Sequence, residues 1–210
     1  MSKTFNKTEL KQLKNIIHIY EIGLFAFLKK INNINDSMVS TNNNNLIEHI
    51  KRRLKTPESI AQKLNKLNHE LTADNAKKYI KDIAGLRIIC PFSKDIHSLV
   101  DAFSSIPEWK VIEKEDYISN PKSSGYRSFH LMVEVPVSYT CQQEIIPIEV
   151  QLRTAAMDFW ASIEHKVRYK YKEHIPKHLV DELVLCADKI AELDNRMFLI
   201  HDIVSLINQN

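Results

Sequence analysis

Asp82-Ile-Ala-Gly-Leu-Arg-Ile-Ile-Cys-Pro91 is where the pattern of the chain changes. Upstream of it, apolar residues recur every three or four positions, the spacing of a helix face. From Ile83 to Cys90 the apolar residues run almost unbroken, and Pro91 stops them, which predicts a buried strand. Downstream, Asp95 to Phe103 reads as a helix, and Trp109–Ile118, Ser128–Val137 and Glu144–Arg153 read as further strands. Thr154 opens a helix through about Tyr171. Pro176 opens a last one, striped with Leu179, Leu183, Ala187, Ile190, Leu193, Met197 and Ile200. On the other side, Leu10, Leu13, Ile16, Ile17, Tyr20, Leu24, Phe27 and Leu28 predict a helix over 7–31. The asparagine-rich run from Ile31 to Asn45 reads as a flexible surface loop. A second helix is expected from Leu46 to about Arg53–Lys55, and Thr56-Pro57-Glu58 starts another, running to about His69. Thr72 caps a shorter helix through Tyr79. The expected fold class is α/β (α+β): one mixed sheet flanked by helices, with helical arms at both termini.

At 210 residues and 44% hydrophobic content the chain can bury one sizeable core. Residues 1–45 form an N-terminal helix and loop, 46–175 the central domain, and 176–210 a C-terminal helix suited to oligomerisation. A net charge of +3 and a pI near 8.6 argue neither for nor against nucleic acid, so an RNA partner is not indicated. Cys90, Cys141 and Cys186 are odd in number and lack CxxC spacing, which reads as reduced thiols without a disulfide framework or zinc site. Lys7, Glu9, Lys11 and Lys14 interrupt any leader-like apolar run, and no stretch is long enough for a membrane span. The expectation is a soluble cytoplasmic protein.

Four segments carry residues suited to phosphate chemistry. Arg52, Arg53 and Lys55 stand just before the Thr56 cap, and Ser59 and Lys63 share one face of the helix that follows. Cations beside free helix amides favour a polyphosphate. Taken alone, the same residues describe a solvated basic patch. Asp82 sits at a strand mouth, a good place for a Mg²⁺ ligand, or equally for a turn-capping aspartate. Alternation puts Asp82 and Arg87 on opposite faces unless Gly85 marks a bulge. Glu149, Gln151 and Arg153 lie at period two, opposite Ile148, Val150 and Leu152; such a face is either solvated or, beside Asp82, a second metal carboxylate. In Lys122-Ser-Ser-Gly-Tyr-Arg-Ser-Phe-His130, Pro121 and Gly125 set a turn that presents Tyr126 as a platform for a purine ring. Lys122, Arg127 and His130 are then charge-assisted donors to phosphate.

Taken together, these blocks resemble the synthetase domain of the RelA/SpoT family, and specifically its small single-domain alarmone synthetases. The resemblance rests on Arg53-Leu-Lys55 with Ser59 and Lys63, Asp82-Ile-Ala-Gly-Leu-Arg87, Asp116-Tyr-Ile, Lys122 to His130, Glu149-Val-Gln-Leu-Arg153, and Met157 to His165 followed by Tyr169-Lys-Tyr. It implies a nucleotidyltransferase-like fold and an enzyme, a GTP diphosphokinase. The implied reaction moves pyrophosphate from ATP to the 3′-hydroxyl of GTP or GDP, making the pppGpp or ppGpp of the stringent response. It further implies Arg53, Lys55, Ser59, Lys63, Arg87 and Glu164 on ATP, and Lys122, Tyr126, His130, Gln151 and Asp158 on the guanosine nucleotide. Asp82 and Glu149 are the implied Mg²⁺ ligands, with Glu149 also activating the 3′-hydroxyl, and a homotetramer is the implied assembly. Glu115 departs from the basic residue that relatives often carry before Asp-Tyr. The alternatives are a toxic relative acting on tRNA 3′ ends or making adenosine alarmones, and a non-catalytic nucleotide-binding module.

Overall fold

The apolar run around Ile88 becomes an inner strand of a five-stranded sheet. The computed structural model describes residues 4–42, 45–140, 142–171 and 175–207. Its strands are β1 (His49–Leu54), β2 (Ala84–Cys90), β3 (Lys110–Asp116), β4 (Phe129–Tyr139) and β5 (Gln142–Thr154), in the order β1-β2-β5-β4-β3. Only β2 and β5 pair in parallel; the other neighbours are antiparallel. The helices are α1 (Lys7–Asn42), α2 (Pro57–Lys66), α3 (Ala73–Tyr79), α4 (Ser93–Ser104), α5 (Ala155–Tyr171) and α6 (Lys177–Ile207). The expected mixed sheet with flanking helices is what forms.

Alternation builds the core. Ile146, Ile148, Val150 and Leu152 of β5 and Leu131, Val133, Val135 and Val137 of β4 fill one face of the sheet, all nearly inaccessible to water. Helix α1 lies so close to that face that a side chain at Gly23 would come within 2.5 Å of Ile146 and Val137. Phe27 of α1 reaches further, stacking at a tilt on Trp109 and meeting Phe103 of α4. The threonine caps form as expected: Thr56 accepts the Ser59 amide and Thr72 the Asn75 amide.

Three expectations need correcting. The asparagine-rich run up to Asn42 is helix, not loop, because Ile31, Ile34 and Met38 continue the spacing of Leu24 and Phe27 into the core. An asparagine costs about 0.6 kcal/mol relative to alanine inside a helix. Full burial of Ile31 alone contributes roughly 1.5–3 kcal/mol, so packing wins. Asn43 and Asn44 lie outside the described residues. Residues 49–54 are the edge strand β1 rather than the end of a helix, since their backbone pairs with β2 from His49↔Ile89 to Leu54↔Ala84. Arg52 lays its guanidinium 4.7 Å from the Phe25 ring of α1, on the other face from Lys51 and Arg53.

The third correction concerns the last helix, whose apolar residues read as one stripe but divide between two faces, unlike those of α1. The α1 stripe is absorbed by the chain's own core, with Leu13, Tyr20, Leu24, Phe27 and Ile31 buried. On α6, Leu183, Ala187, Ile190, Asp194 and Phe198 follow the helix period on the inward side. Leu193, Met197 and Ile200 sit one residue out of that phase and are exposed. Cys90 and Cys186 are free thiols, and Cys141 lies outside the described residues. Among the described residues, no helix is long and apolar enough to cross a membrane.

Candidate active site

Register places the chemistry in rows across the second face of the sheet. Residues directly opposite one another on paired strands share a face. One row runs Arg53 (β1), Gly85 (β2), Glu149 (β5), Met132 (β4); the next runs Lys51, Arg87, Gln151, His130, Glu115 across all five strands. The expected adjacency of the Asp82 and Glu149 strands is therefore met: Asp82 leads into β2, and β5 is its neighbour. Gly85 marks no bulge, because the β2–β5 register is continuous from Ala84 to Cys90. Gly85 serves another purpose. A Cβ there would make ordinary contact with Glu149, 3.7 Å from its Oε2, so glycine leaves the row between Arg53 and the half-buried Glu149 without a side chain.

Asp82 anchors the mouth of β2. Lys55 Nζ lies 2.5 Å from its Oδ2 and Lys63 Nζ 2.8 Å from its Oδ1. Burial pushes this carboxyl up, but the hydrogen bonds and charges of both lysines outweigh it and hold the group below the usual carboxylate range. Ser59 lies in the first turn of α2, its hydroxyl 3.3 Å from that of Thr56. Arg53 is exposed and, among the described residues, has no ion-pair partner.

Along β5 a polar network continues. Gln151 Nε2 donates to Glu149 Oε2 at 3.4 Å, and Arg153 Nη2 donates to Gln151 Oε1 at 3.3 Å and to the Tyr126 hydroxyl at 2.6 Å. Asp158, in the first turn of α5, gathers three cations: Arg153 at 2.9 Å, Arg87 at 3.1 Å and Lys51 at 3.5 Å. Burial pushes its carboxyl up; the two arginines and Lys51 bring it below the ordinary value. The Nε groups of Arg87 and Arg153 are buried without a partner, two donors whose desolvation a bound polyanion would offset.

Tyr126 is held rather than loose. Arg153 donates to its oxygen, and the hydroxyl makes a second hydrogen bond with His130 Nε2, 2.8 Å away. Lys122 Nζ hangs 4.1 Å from the Tyr117 ring centre and 5.5 Å from that of Tyr126. The turn forms as expected, with Gly125 at φ +87 and its amide bonded to the Lys122 carbonyl.

Two expected donors behave differently. Arg127 turns away from these rows, donating to the Ile118 carbonyl at 3.2 Å and to Asp188 at 3.0 Å. His130 is not a cation: burial, then Arg153 and Lys122, lower its pKa to about 4. Glu164 pairs with Arg168 four residues on, along α5, instead of joining the network. Lys51, Tyr117 and Arg153 enter the site without having been singled out. Arg153 was legible as the third polar residue on the β5 face, and Lys51 became so only once β1 was a strand.

The His130 shift has a sign that can be checked. Its folded pKa, about 4, lies below the unfolded value of 6.5, so the unfolded chain takes up the proton first. Stability present above pH 6.5 is therefore lost as the pH falls toward 4, by up to roughly 3 kcal/mol. Urea midpoints measured across this window should fall for the wild-type chain and flatten for His130→Asn.

Known proteins share this arrangement. The family described as the region found in RelA / SpoT proteins matches residues 52–174. GTP pyrophosphokinase YwaC of Bacillus subtilis (strain 168) is 41% identical over 191 residues, 91% of this chain and 91% of its own. GTP pyrophosphokinase YjbM of the same organism is 36% identical over 72% of this chain and 70% of its own. Among solved structures, small alarmone synthetase 2 from Bacillus subtilis superposes with a TM-score of 0.81 at 40% identity, over 90% of this chain and 98% of that one. Small alarmone synthetase 1 from Bacillus subtilis, bound to its product pppGpp, gives 0.83 at 31% identity, over 93% and 99%. The family match over residues 52–174, with relatives and structures alike along nearly the whole chain, places the chain in the RelA/SpoT family, among the small alarmone synthetases.

Proposed function

We propose that this chain transfers the β,γ-pyrophosphate of ATP to the ribose 3′-hydroxyl of GTP or GDP, giving pppGpp or ppGpp and AMP. One observation carries the reading: the Glu149 carboxylate borders the gap left at Gly85, with cations from β1, β2 and β5 around it. The 3′-oxygen attacks the β-phosphorus, the bond from that phosphorus to the oxygen bridging the α-phosphate breaks, and AMP departs. Glu149 accepts the 3′-hydroxyl proton. Arg53, Lys55, Ser59, Lys63 and Arg87 would face the ATP polyphosphate, where positioning and charge do most of the catalysis. Tyr126, Lys122, His130 and Gln151 would receive the guanosine nucleotide. With Asp158 holding Arg87 and Arg153 in place, its part is indirect.

The donor set fits magnesium. Glu149 would offer hard carboxylate oxygens, as would Asp82 on releasing Lys55 and Lys63, and among the described residues no group of three or more acidic, histidine or cysteine side chains forms a cage. That suits an ion held by one or two carboxylates and mostly by phosphate oxygens and water. When bound, Mg²⁺ would neutralise charge on the polyphosphate. Leu193, Met197, Ile200, Val204 and Ile207 of α6, spaced in heptad fashion and 49–66% exposed, support self-association through α6, for which a homotetramer is the assembly proposed. Light scattering giving a monomer mass would contradict that assembly.

The acceptor is tested by incubating the protein with ATP and GTP, GDP, a second ATP or bulk tRNA, and separating the products by chromatography. The expected result is pppGpp or ppGpp with equimolar AMP. Modified tRNA or an adenosine product in their place would overturn the guanosine assignment.

A further inference from the structure

Residues 117–128 carry the acceptor side of the site yet have little core of their own. Residues 119–123 are all exposed, and the segment's own bonds are few: Tyr117 N to the Ser128 carbonyl, Asn120 N to the Asp116 carbonyl, and the two that close the Lys122–Tyr126 turn. Asp116 supports the first bend by accepting the Ile118 and Ser119 amides. Tyr126 is held through its hydroxyl by Arg153 and His130, and Ser128 Oγ donates to the Leu152 carbonyl; the turn and Arg127 are held from α6. At Gly125 an added Cβ would meet Ala187 Cβ at 2.7 Å and Val184 Cα at 3.3 Å, so the turn is seated against the helix itself. Two residues on, Arg127 bridges Asp188 of α6 to the Ile118 carbonyl, tying helix, turn and the Tyr117 bend into one unit.

The helix that does this is itself well fixed. Trp160 Nε1 donates to the Leu183 carbonyl at 2.8 Å, and Thr154 Oγ1 donates to Asp194 at 2.8 Å. Phe92 packs on Phe198 and His201 near its far end. These contacts lie on one face of α6, while the exposed apolar stripe lies on another.

We propose that α6 is the clamp of the acceptor loop: Asp188, acting through Arg127, and Ala187, against Gly125, are positioning residues that pre-order Tyr117, Lys122 and Tyr126 for the guanosine nucleotide. The proposal rests on the alarmone synthetase reading for its kinetic consequence, but not for its structural one. A loop ordered before binding spares the ligand the cost of ordering it. The effect therefore falls on acceptor affinity and not on ATP or on the chemical step.

The test compares the full-length chain with Asp188→Ala, Asp188→Glu and Ala187→Leu, by hydrogen–deuterium exchange of residues 116–130 without nucleotide and by steady-state kinetics. In Asp188→Ala and Ala187→Leu, exchange in this segment should rise several-fold while β2 and β5 stay protected. The KM for GTP or GDP should rise about tenfold, with the KM for ATP and kcat within about twofold. Asp188→Glu, which keeps the carboxylate, should recover most of both. Unchanged exchange overturns the clamp, as does faster exchange with unchanged acceptor KM. Should the wild-type protein make no alarmone, the functional reading fails separately, and the exchange comparison still decides whether α6 orders the loop.

Discussion

Glu149→Gln should lower the rate of alarmone synthesis by about 10²–10⁴-fold, the usual scale for losing a positioned general base. The substitution is nearly isosteric, and the glutamine oxygen can still accept the 3.4 Å contact from Gln151 Nε2. The side chain stands on β5 between Ile148 and Val150, both fully buried, so the strand and its register do not depend on it. The ATP KM should move by less than about threefold, because the cations assigned to ATP lie on β1, the link after it, α2 and β2. Thermal midpoint and oligomer mass should match the wild type. AMP release at near-normal rate would remove Glu149 from the chemistry.

Asp158→Ala should destabilise the fold by about 3 kcal/mol, read as a drop in the urea midpoint with an unchanged slope. Asp158 Oδ1 accepts from both Arg87 and Arg153, and the Arg153 side chain is only 6% exposed with its Nε already unpaired. Removing the carboxylate leaves that guanidinium buried without a counter-ion, which costs more than the pair contributes when intact. Arg87, at 37% exposure, can turn to water, which keeps the effect toward the lower end of the range for such losses. Added pyrophosphate should recover part of the lost stability by binding the released arginines. A shift below about 1 kcal/mol would mean that solvent already screens the cluster.

How much of this was visible beforehand depends on where each residue's environment comes from. On β5 the sequence itself alternates, so the polar face with Glu149, Gln151 and Arg153 and the apolar face with Ile148, Val150 and Leu152 could be assigned directly. Thr56 and Thr72 cap as read because capping is local chemistry. Strand β1 was not legible: Ile50 and Leu54 are four apart, a helical spacing, and the partner that makes them a strand lies some thirty residues on. Helix α1 runs on past Ile31 because tertiary burial outweighs the asparagines' low propensity. On α6, two apolar stripes one residue out of phase share one helix, and only tertiary contacts, of Ala187 with Gly125, Asp194 with Thr154 and Phe198 with Phe92, show which faces inward. Arg127 lies among cations in the sequence, yet it is Asp188, 61 residues away, that draws it out of the site.

Labelled ATP tests the central claim most directly. With ATP carrying the isotope at its β-phosphorus and GTP as acceptor, the account predicts that the label leaves the adenine nucleotide and appears in pppGpp, with unlabelled AMP in equal amount. Release of labelled ADP, or label retained on adenosine while the guanosine nucleotide gains a single phosphate, would contradict it.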